Sequence, residues 1–118
     1  MIFYSSTGKA VAYCDDGEHI FLYSGEPVAY FYSNAVYGYN GKVYGWFEKG
    51  WVRDLNGSCV FFTEDANGSG PIKPIKNICP IKGIKGIKPI KSIRQIKPIK
   101  PINQIRWSEL SGEQFFYQ

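Results

Sequence analysis

Gly8-Lys9-Ala10-Val11-Ala12-Tyr13-Cys14, Gly25-Glu26-Pro27-Val28-Ala29-Tyr30-Phe31, Gly41-Lys42-Val43-Tyr44-Gly45-Trp46-Phe47 and Gly57-Ser58-Cys59-Val60-Phe61-Phe62-Thr63 are four versions of one segment. Their glycines lie 17, 16 and 16 residues apart, and each follows a polar residue: Thr7-Gly8, Ser24-Gly25, Asn40-Gly41 and Asn56-Gly57. A polar residue and a glycine between β-prone runs mark a hairpin whose turn needs positive φ, so Gly8, Gly25, Gly41 and Gly57 are read as structural turn glycines. The chain before each turn is also β-prone: Ile2-Phe3-Tyr4-Ser5, Ile20-Phe21-Leu22-Tyr23, Val36-Tyr37-Gly38-Tyr39 and Val52-Arg53-Asp54-Leu55. Four hairpins make eight strands, and closing them into a ring removes the open edges that an isolated meander would expose. The pattern predicts an all-β, pseudo-four-fold closed barrel of eight antiparallel strands over residues 1–65.

Positions three and five after each glycine are Val11/Tyr13, Val28/Tyr30, Tyr44/Trp46 and Val60/Phe62. An unbroken period of two places both on one face. The position between them is small in three units, Ala12, Ala29 and Gly45, then Phe61. Small residues recurring there suggest strands converging on a central axis. Pro27 brings no ladder donor, so its strand should pair loosely at that point.

After a linker at residues 66–70, isoleucine returns at every third position from Ile72 to Ile105 within a tract spanning residues 71–106. A period of three matches polyproline II, which puts isoleucines on one ridge, cations on a second, and Pro, Gly, Asn, Ser and Gln on the third. Pro-Ile-Lys also recurs at 71, 80, 89 and 98, dividing the tract into four blocks of nine. Extended, 36 residues reach about 112 Å at roughly 3.1 Å per residue, near the circumference of a circle of about 18 Å radius. The expectation is one block per hairpin, with the isoleucines covering the outer aromatic face and the lysines turned to solvent or to Asp15, Asp16, Glu18 and Glu48. A nine-residue solenoid and pairing between chains are the alternatives, and the oligomeric state is open. In residues 107–118, Ser111 and Gln114 have capping-box spacing, which predicts a short helix near 111–117 whose aromatics seal a barrel mouth.

Charge is segregated. Residues 1–70 carry four cations and eight acids, the tract carries eight lysines and two arginines with no acid, and the last twelve residues carry Glu109 and Glu113. A net −4 body beside a +10 tract can bind each other. Lys73, Lys76, Lys82, Lys85, Lys88, Lys91, Lys97 and Lys100 are the candidate contacts for an anionic lipid surface, since each cation near such a surface contributes about 1 kcal/mol. Nucleic acid is disfavoured, because the body is acidic and no aromatic interrupts the lysines.

Catalytic chemistry is sparse. His19 is the only histidine and no nucleophile motif accompanies it. Asp15, Asp16, Glu18 and His19 fit no calcium loop and read as a solvated connection. Cys14, Cys59 and Cys79 form no CxxC pair and read as unpaired thiols, without disulfide, zinc or other metal. Asn56-Gly57-Ser58 and Asn67-Gly68-Ser69 are formal sequons that read first as turns. Neither a signal-peptide pattern nor an apolar run of membrane-spanning length is present, so the expected location is cytoplasmic, peripheral at the membrane if lipid is bound.

The Gly-x-x-Val-Ala-Tyr repeats, Asn40-Gly41-Lys42 through Gly45-Trp46-Phe47, Gly50-Trp51-Val52-Arg53-Asp54, Cys59 through Glu64 and the basic triplets together resemble the four-fold β-flower domain family. The resemblance implies a shallow, symmetric bacterial barrel with an apolar centre and no established activity, and it supplies no catalytic residues to carry over; no cofactor is expected. It also implies a shape similar to the lipid-binding Tubby-like barrels, a likeness of fold alone. The expected function is a non-enzymatic structural or binding module. The alternative is a peripheral binder of anionic lipid, through the basic tract or the barrel centre.

Overall fold

The computed structural model describes residues 1–118. Eight strands close into one antiparallel barrel in chain order: β1 (Ile2–Tyr4), β2 (Ala10–Tyr13), β3 (His19–Leu22), β4 (Pro27–Tyr32), β5 (Ala35–Tyr37), β6 (Val43–Glu48), β7 (Trp51–Asp54) and β8 (Cys59–Phe62). The ring shuts where Tyr4 of β1 pairs with Phe62 of β8. Each hairpin has the same tip: Ser5 N–H donates to Lys9 O and Gly8 N–H to Ser5 O, with counterparts at 22–26, 38–42 and 54–58. The tip glycines sit at φ of 83°, 98°, 88° and 87°. This is a three-residue loop in which a type I turn ends in a left-handed residue, a place where glycine carries no Cβ penalty.

Every second strand of a hairpin is bulged at one equivalent site. Phe3 faces Ala12 but Tyr4 faces Ala10, and the same slip occurs at Ile20–Ala29/Phe21–Pro27, Val36–Gly45/Tyr37–Val43 and Val52–Phe61/Arg53–Cys59. The extra residues are Val11, Val28, Tyr44 and Val60. This corrects the period-two expectation. Position three does not share a face with position five; the bulge turns it inward beside position four, so Val11 and Ala12 lie in the interior cluster while Tyr13 belongs to an outer one. A bulge adds twist, which strands this short require to close a barrel. Pro27 pairs with Phe21 at the slip, where the missing N–H breaks no regular rung.

The interior is filled from the C-terminus. Phe115 and Phe116, both buried, stack among Phe61 and Tyr44, with Phe115 edge-on to Phe61 at 5.7 Å and to Tyr44 at 5.9 Å. They lie on a 3-10 helix, Glu113–Tyr117, preceded by Gly112 with no side-chain cap. The capping box expected from Ser111 and Gln114 is therefore not made. Ser111 Oγ instead donates to Val60 O and accepts from Ser6 N–H, each at 2.8 Å, tying the chain end to two hairpins.

The tract, residues 71–106, is extended, and no backbone hydrogen bond joins one part of it to another. Its N–H groups go to the hairpin tips: Asn77 to Gly8 O, Gly83 to Tyr23 O, Gly86 to Gly25 O, Ser92 to Tyr39 O, Gln95 to Gly41 O and Gln104 to Gly57 O. All six donors are first residues of triplets, and the other six first residues, at 71, 74, 80, 89, 98 and 101, are prolines. At the first position of a triplet, proline thus stands wherever the N–H has no acceptor. The four tip glycines also approach the carbonyls of Ile75, Ile84, Ile93 and Ile102 so closely that a Cβ on any of them would collide with that oxygen. These contacts repeat every nine residues along the chain. Gly70 lies against the Trp51 indole at the start, and Trp107 meets the same indole at 6.1 Å at the end. The molecule measures 35 × 35 × 22 Å.

The isoleucines do not cover the aromatic face. All twelve point outward, from 72% exposed at Ile105 to 97% at Ile87 and Ile93. The reason is steric. The ridge nearest the hairpins must come within hydrogen-bond distance of the tips, which admits only small residues, prolines or amides. The outer aromatic wall stands off by the length of a lysine stem. The third ridge, isoleucine, is left facing solvent.

Candidate binding surface

The cations lie behind that ridge. Lys82 Nζ stands 4.3 Å from the Tyr13 ring centre, Lys91 4.4 Å from Tyr30, Lys85 4.9 Å from Phe21 and Lys76 5.5 Å from Tyr4, while the Arg94 guanidinium covers Tyr32 at 3.7 Å. The lysine contacts, at partly exposed positions, contribute roughly 0.5–1 kcal/mol each. The same lysines reach acids: Lys82 and Lys85 meet Asp15 at 3.4 and 3.3 Å, Lys91 meets Glu18, and Lys100 meets Glu48 at 3.1 Å. Lys73 donates to Ala66 O at 2.8 Å and Lys97 to Ser33 O at 2.7 Å. Of the eight candidate lysines, Lys88 alone has none of these contacts.

One substitution pattern across the repeat explains the odd unit. Four residues before the tip glycines stand Tyr4, Phe21, Tyr37 and Arg53; the tract positions set against them by the nine-residue period are Lys76, Lys85, Arg94 and Asn103. Where the body offers an aromatic ring the tract offers a cation, and where the body carries arginine the tract carries a neutral amide. Arg53 is 1% exposed. Its Nη1 donates to Gly57 O at 2.9 Å and Gln104 O at 2.8 Å, and its Nη2 to Ser69 O, so one side chain clamps the fourth tip, the tract and the linker. Asn103 Nδ2 donates to Glu48 Oε1.

Electrostatics follow this geometry. Burial pulls the Asp15 carboxyl upward, but hydrogen bonds from Lys85 and Lys82 outweigh it and hold the group below the usual carboxylate range. Lys91 lowers Glu18, and for Glu48 the bonds from Asn103 and Lys100 overcome burial. Asp16 is not reached by the tract. It accepts the Glu18 and His19 N–H groups at 2.9 and 2.8 Å and bonds His19 Nδ1 at 2.7 Å, closing its own connection. Burial pushes the Tyr39 phenol up to about 12 and the Cys59 thiol up to about 11. All three cysteines are free. No group of three or more His, Cys, Asp or Glu side chains is placed to hold a metal, and no helix is long and apolar enough to cross a membrane.

Two polar clefts flank the odd unit. One of about 140 Å³ lies among Glu48, Lys49, Arg53, Asn67 and Asn103. The other, of about 450 Å³, opens where the tract ends, between Asp54, Asn56 and Ser58 of the fourth tip and Arg106 through Leu110. The sequence reading found neither. Its available signal was the lapse of four-fold regularity at Arg53 and Asn103.

The architecture is that of a closed eight-stranded barrel built from four repeated hairpins. The chain belongs to the 4-fold beta flower protein family, whose model matches residues 1–116. No curated protein and no solved structure matched the chain.

Proposed function

We propose that the protein is a non-enzymatic binding module whose working surface is the outward isoleucine ridge, and that the surface it meets is phospholipid. The observation carrying this reading is the exposure of twelve isoleucines in register. At ~25 cal/mol per Å² and ~1.5–3 kcal/mol per buried side chain, each offers ~60–120 Å², or ~700–1,400 Å² in all. That exceeds the few hundred Å² of contiguous apolar surface a monomer ordinarily leaves bare. The ridge is convex, so a second rigid disc could touch only a short arc of it, well under the roughly 800 Å² per partner of a stable complex. A deformable lipid surface suits a convex ridge better. The unpaired Ile and Lys N–H groups of the tract favour the hydrated headgroup level over the hydrocarbon core. Lys88, the uncommitted lysine, lies between Ile87 and Ile90, which makes that arc the contact best suited to a phosphate. The other two routes to lipid are weaker: most tract cations are engaged with the body, and Phe115 and Phe116 occupy the barrel centre.

The test is flotation with phosphatidylcholine vesicles, with and without phosphatidylglycerol, at low and high salt. The expected result is recovery with both vesicle types, a salt-sensitive excess on the anionic one, and loss of that excess with reduced recovery on both on replacing Ile84, Ile87 and Ile90 by serine. Absence of the protein from both vesicle fractions at low salt would reject the reading.

A further inference from the structure

We propose that the larger cleft, at the seam where the tract ends, binds a neutral saccharide unit. This site is separate from the isoleucine ridge and does not depend on it. The seam exists because the chain stops following the rim at Arg106: Cys59 N–H donates to Arg106 O, Ser108 N–H donates to Cys59 O, and Trp107 forms a parallel bridge with Cys59. Residues 106–110 therefore rise beside the fourth hairpin and leave a cleft of about 450 Å³ between the two. That volume falls within the roughly 300–1,000 Å³ of ordinary small-ligand sites.

Several polar groups lining the cleft are unspent. Asp54 is 7% exposed and uses Oδ1 to accept the Asn56 and Ser58 N–H groups at 2.9 and 3.0 Å, while Oδ2 has no partner yet remains open to solvent. Arg106 uses only Nε, donating to Ser58 Oγ at 3.1 Å, so its two terminal nitrogens are free. The Asn56 amide, the Glu109 carboxylate and the Trp107 indole N–H make no hydrogen bond, and Arg106 forms no ion pair with either acid. The cleft thus presents donors on Arg106 and Asn56 and acceptors on Asp54, Asn56 and Glu109.

Ligand class follows from the mixture. An anion that reaches Arg106 meets two carboxylates, and a cation that reaches those carboxylates meets Arg106. A neutral molecule with several adjacent hydroxyls satisfies both, because each hydroxyl donates and accepts. Trp107 adds a half-buried indole to the lining, its ring also packed on Trp51 and Phe62. Asn56, Arg106 and Glu109 are exposed and hydrated, so a hydroxylated ligand replaces their water with equivalent hydrogen bonds where an apolar one would leave them unpaired.

The experiment is isothermal titration of the full chain with methyl α-glucoside, methyl α-mannoside, methyl β-galactoside and N-acetylglucosamine, with glycine and inorganic phosphate as charged comparators. One or more of the sugars is expected to bind with a Kd in the roughly millimolar range or tighter, and neither comparator at that level. Glu109→Ala and Asn56→Ala remove side chains that make no internal hydrogen bond, so both should keep the parent melting temperature while weakening the sugar about tenfold or more. Binding of glycine or phosphate in place of the sugars, sugar binding indifferent to both variants, or no heat with any of the four sugars would each overturn the proposal.

Discussion

Replacing Asn77 and Gln104 by proline tests the rule that, at the first position of a triplet, proline stands where the N–H has no acceptor. Asn77 N–H donates to Gly8 O at 2.9 Å and Gln104 N–H to Gly57 O at 3.0 Å. Proline keeps the extended backbone that the tract already has, so the perturbation is confined to the donor and the ring that replaces it. Each substitution forfeits a net ~0.5–1.5 kcal/mol, for a total of about 1–3 kcal/mol; Gly8 O loses its tract donor outright, while Gly57 O keeps Arg53 Nη1. The two sites sit on different hairpins, and Asn77→Pro plus Gln104→Pro should add within about 0.5 kcal/mol. The reverse change, Pro89→Asn, supplies a donor that has no acceptor and should cost no more than the ~0.4–1 kcal/mol of lost chain stiffness. Urea unfolding followed by tryptophan fluorescence reads all four. Proline variants as stable as the parent, or a Pro89→Asn variant damaged as much as they are, would refute the register.

Three further outcomes follow from the same contacts. Asn103→Lys adds a further cation to the cleft that Arg53 and Lys49 already line and should destabilise by about 1–3 kcal/mol at an effective dielectric near 20; adding Arg53→Tyr to Asn103→Lys recreates the ring-and-cation pair of the other units, so a thermal-melting double-mutant cycle should show favourable coupling, and strict additivity would contradict it. Phe115→Ala empties a fully buried site at the barrel centre and should cost about 3–5 kcal/mol by chemical denaturation; a loss under 1 kcal/mol would mean that the C-terminal segment is not the plug. Asp15, Glu18 and Glu48 have lowered pKa values in the folded state, so their contribution is present above the ordinary carboxylate range and is lost as pH falls below it. Stability monitored from pH 7 to pH 3 should decline on the acid side, less steeply for Asp15→Asn, and a flat profile would deny the lysine contacts.

Much of the barrel was legible because its signals are local. Glycines at 17, 16 and 16 residue intervals mark the tips directly, and Ala12, Ala29 and Gly45 announce a crowded interior. The bulge was not legible, since Val11 and Tyr13 obey a period of two whether or not a residue is inserted between rungs. The facing of the tract was read by weighing apolar area alone. That argument favours buried isoleucine, but it omits the need of the tip carbonyls for donors and the closeness with which Gly8, Gly25, Gly41 and Gly57 admit the tract backbone. Both constraints are encoded in the alternation of proline and non-proline at the first triplet position. The pairing of Tyr4, Phe21, Tyr37 and Arg53 with Lys76, Lys85, Arg94 and Asn103 was equally present in the sequence. It becomes visible only once the nine-residue register fixes which residues face each other. The seam cleft had no local motif, because it is formed by the end of a repeat and not by the repeat itself.

Residue-resolved amide hydrogen exchange over residues 71–106 tests the central claim most directly, that the tract is held to the four tips by one ridge while its isoleucines face water. Slow exchange is expected at Asn77, Gly83, Gly86, Ser92, Gln95 and Gln104, with fast exchange at the isoleucines and lysines between them. Uniformly fast exchange across the tract, or protection centred on the isoleucine amides, would contradict it.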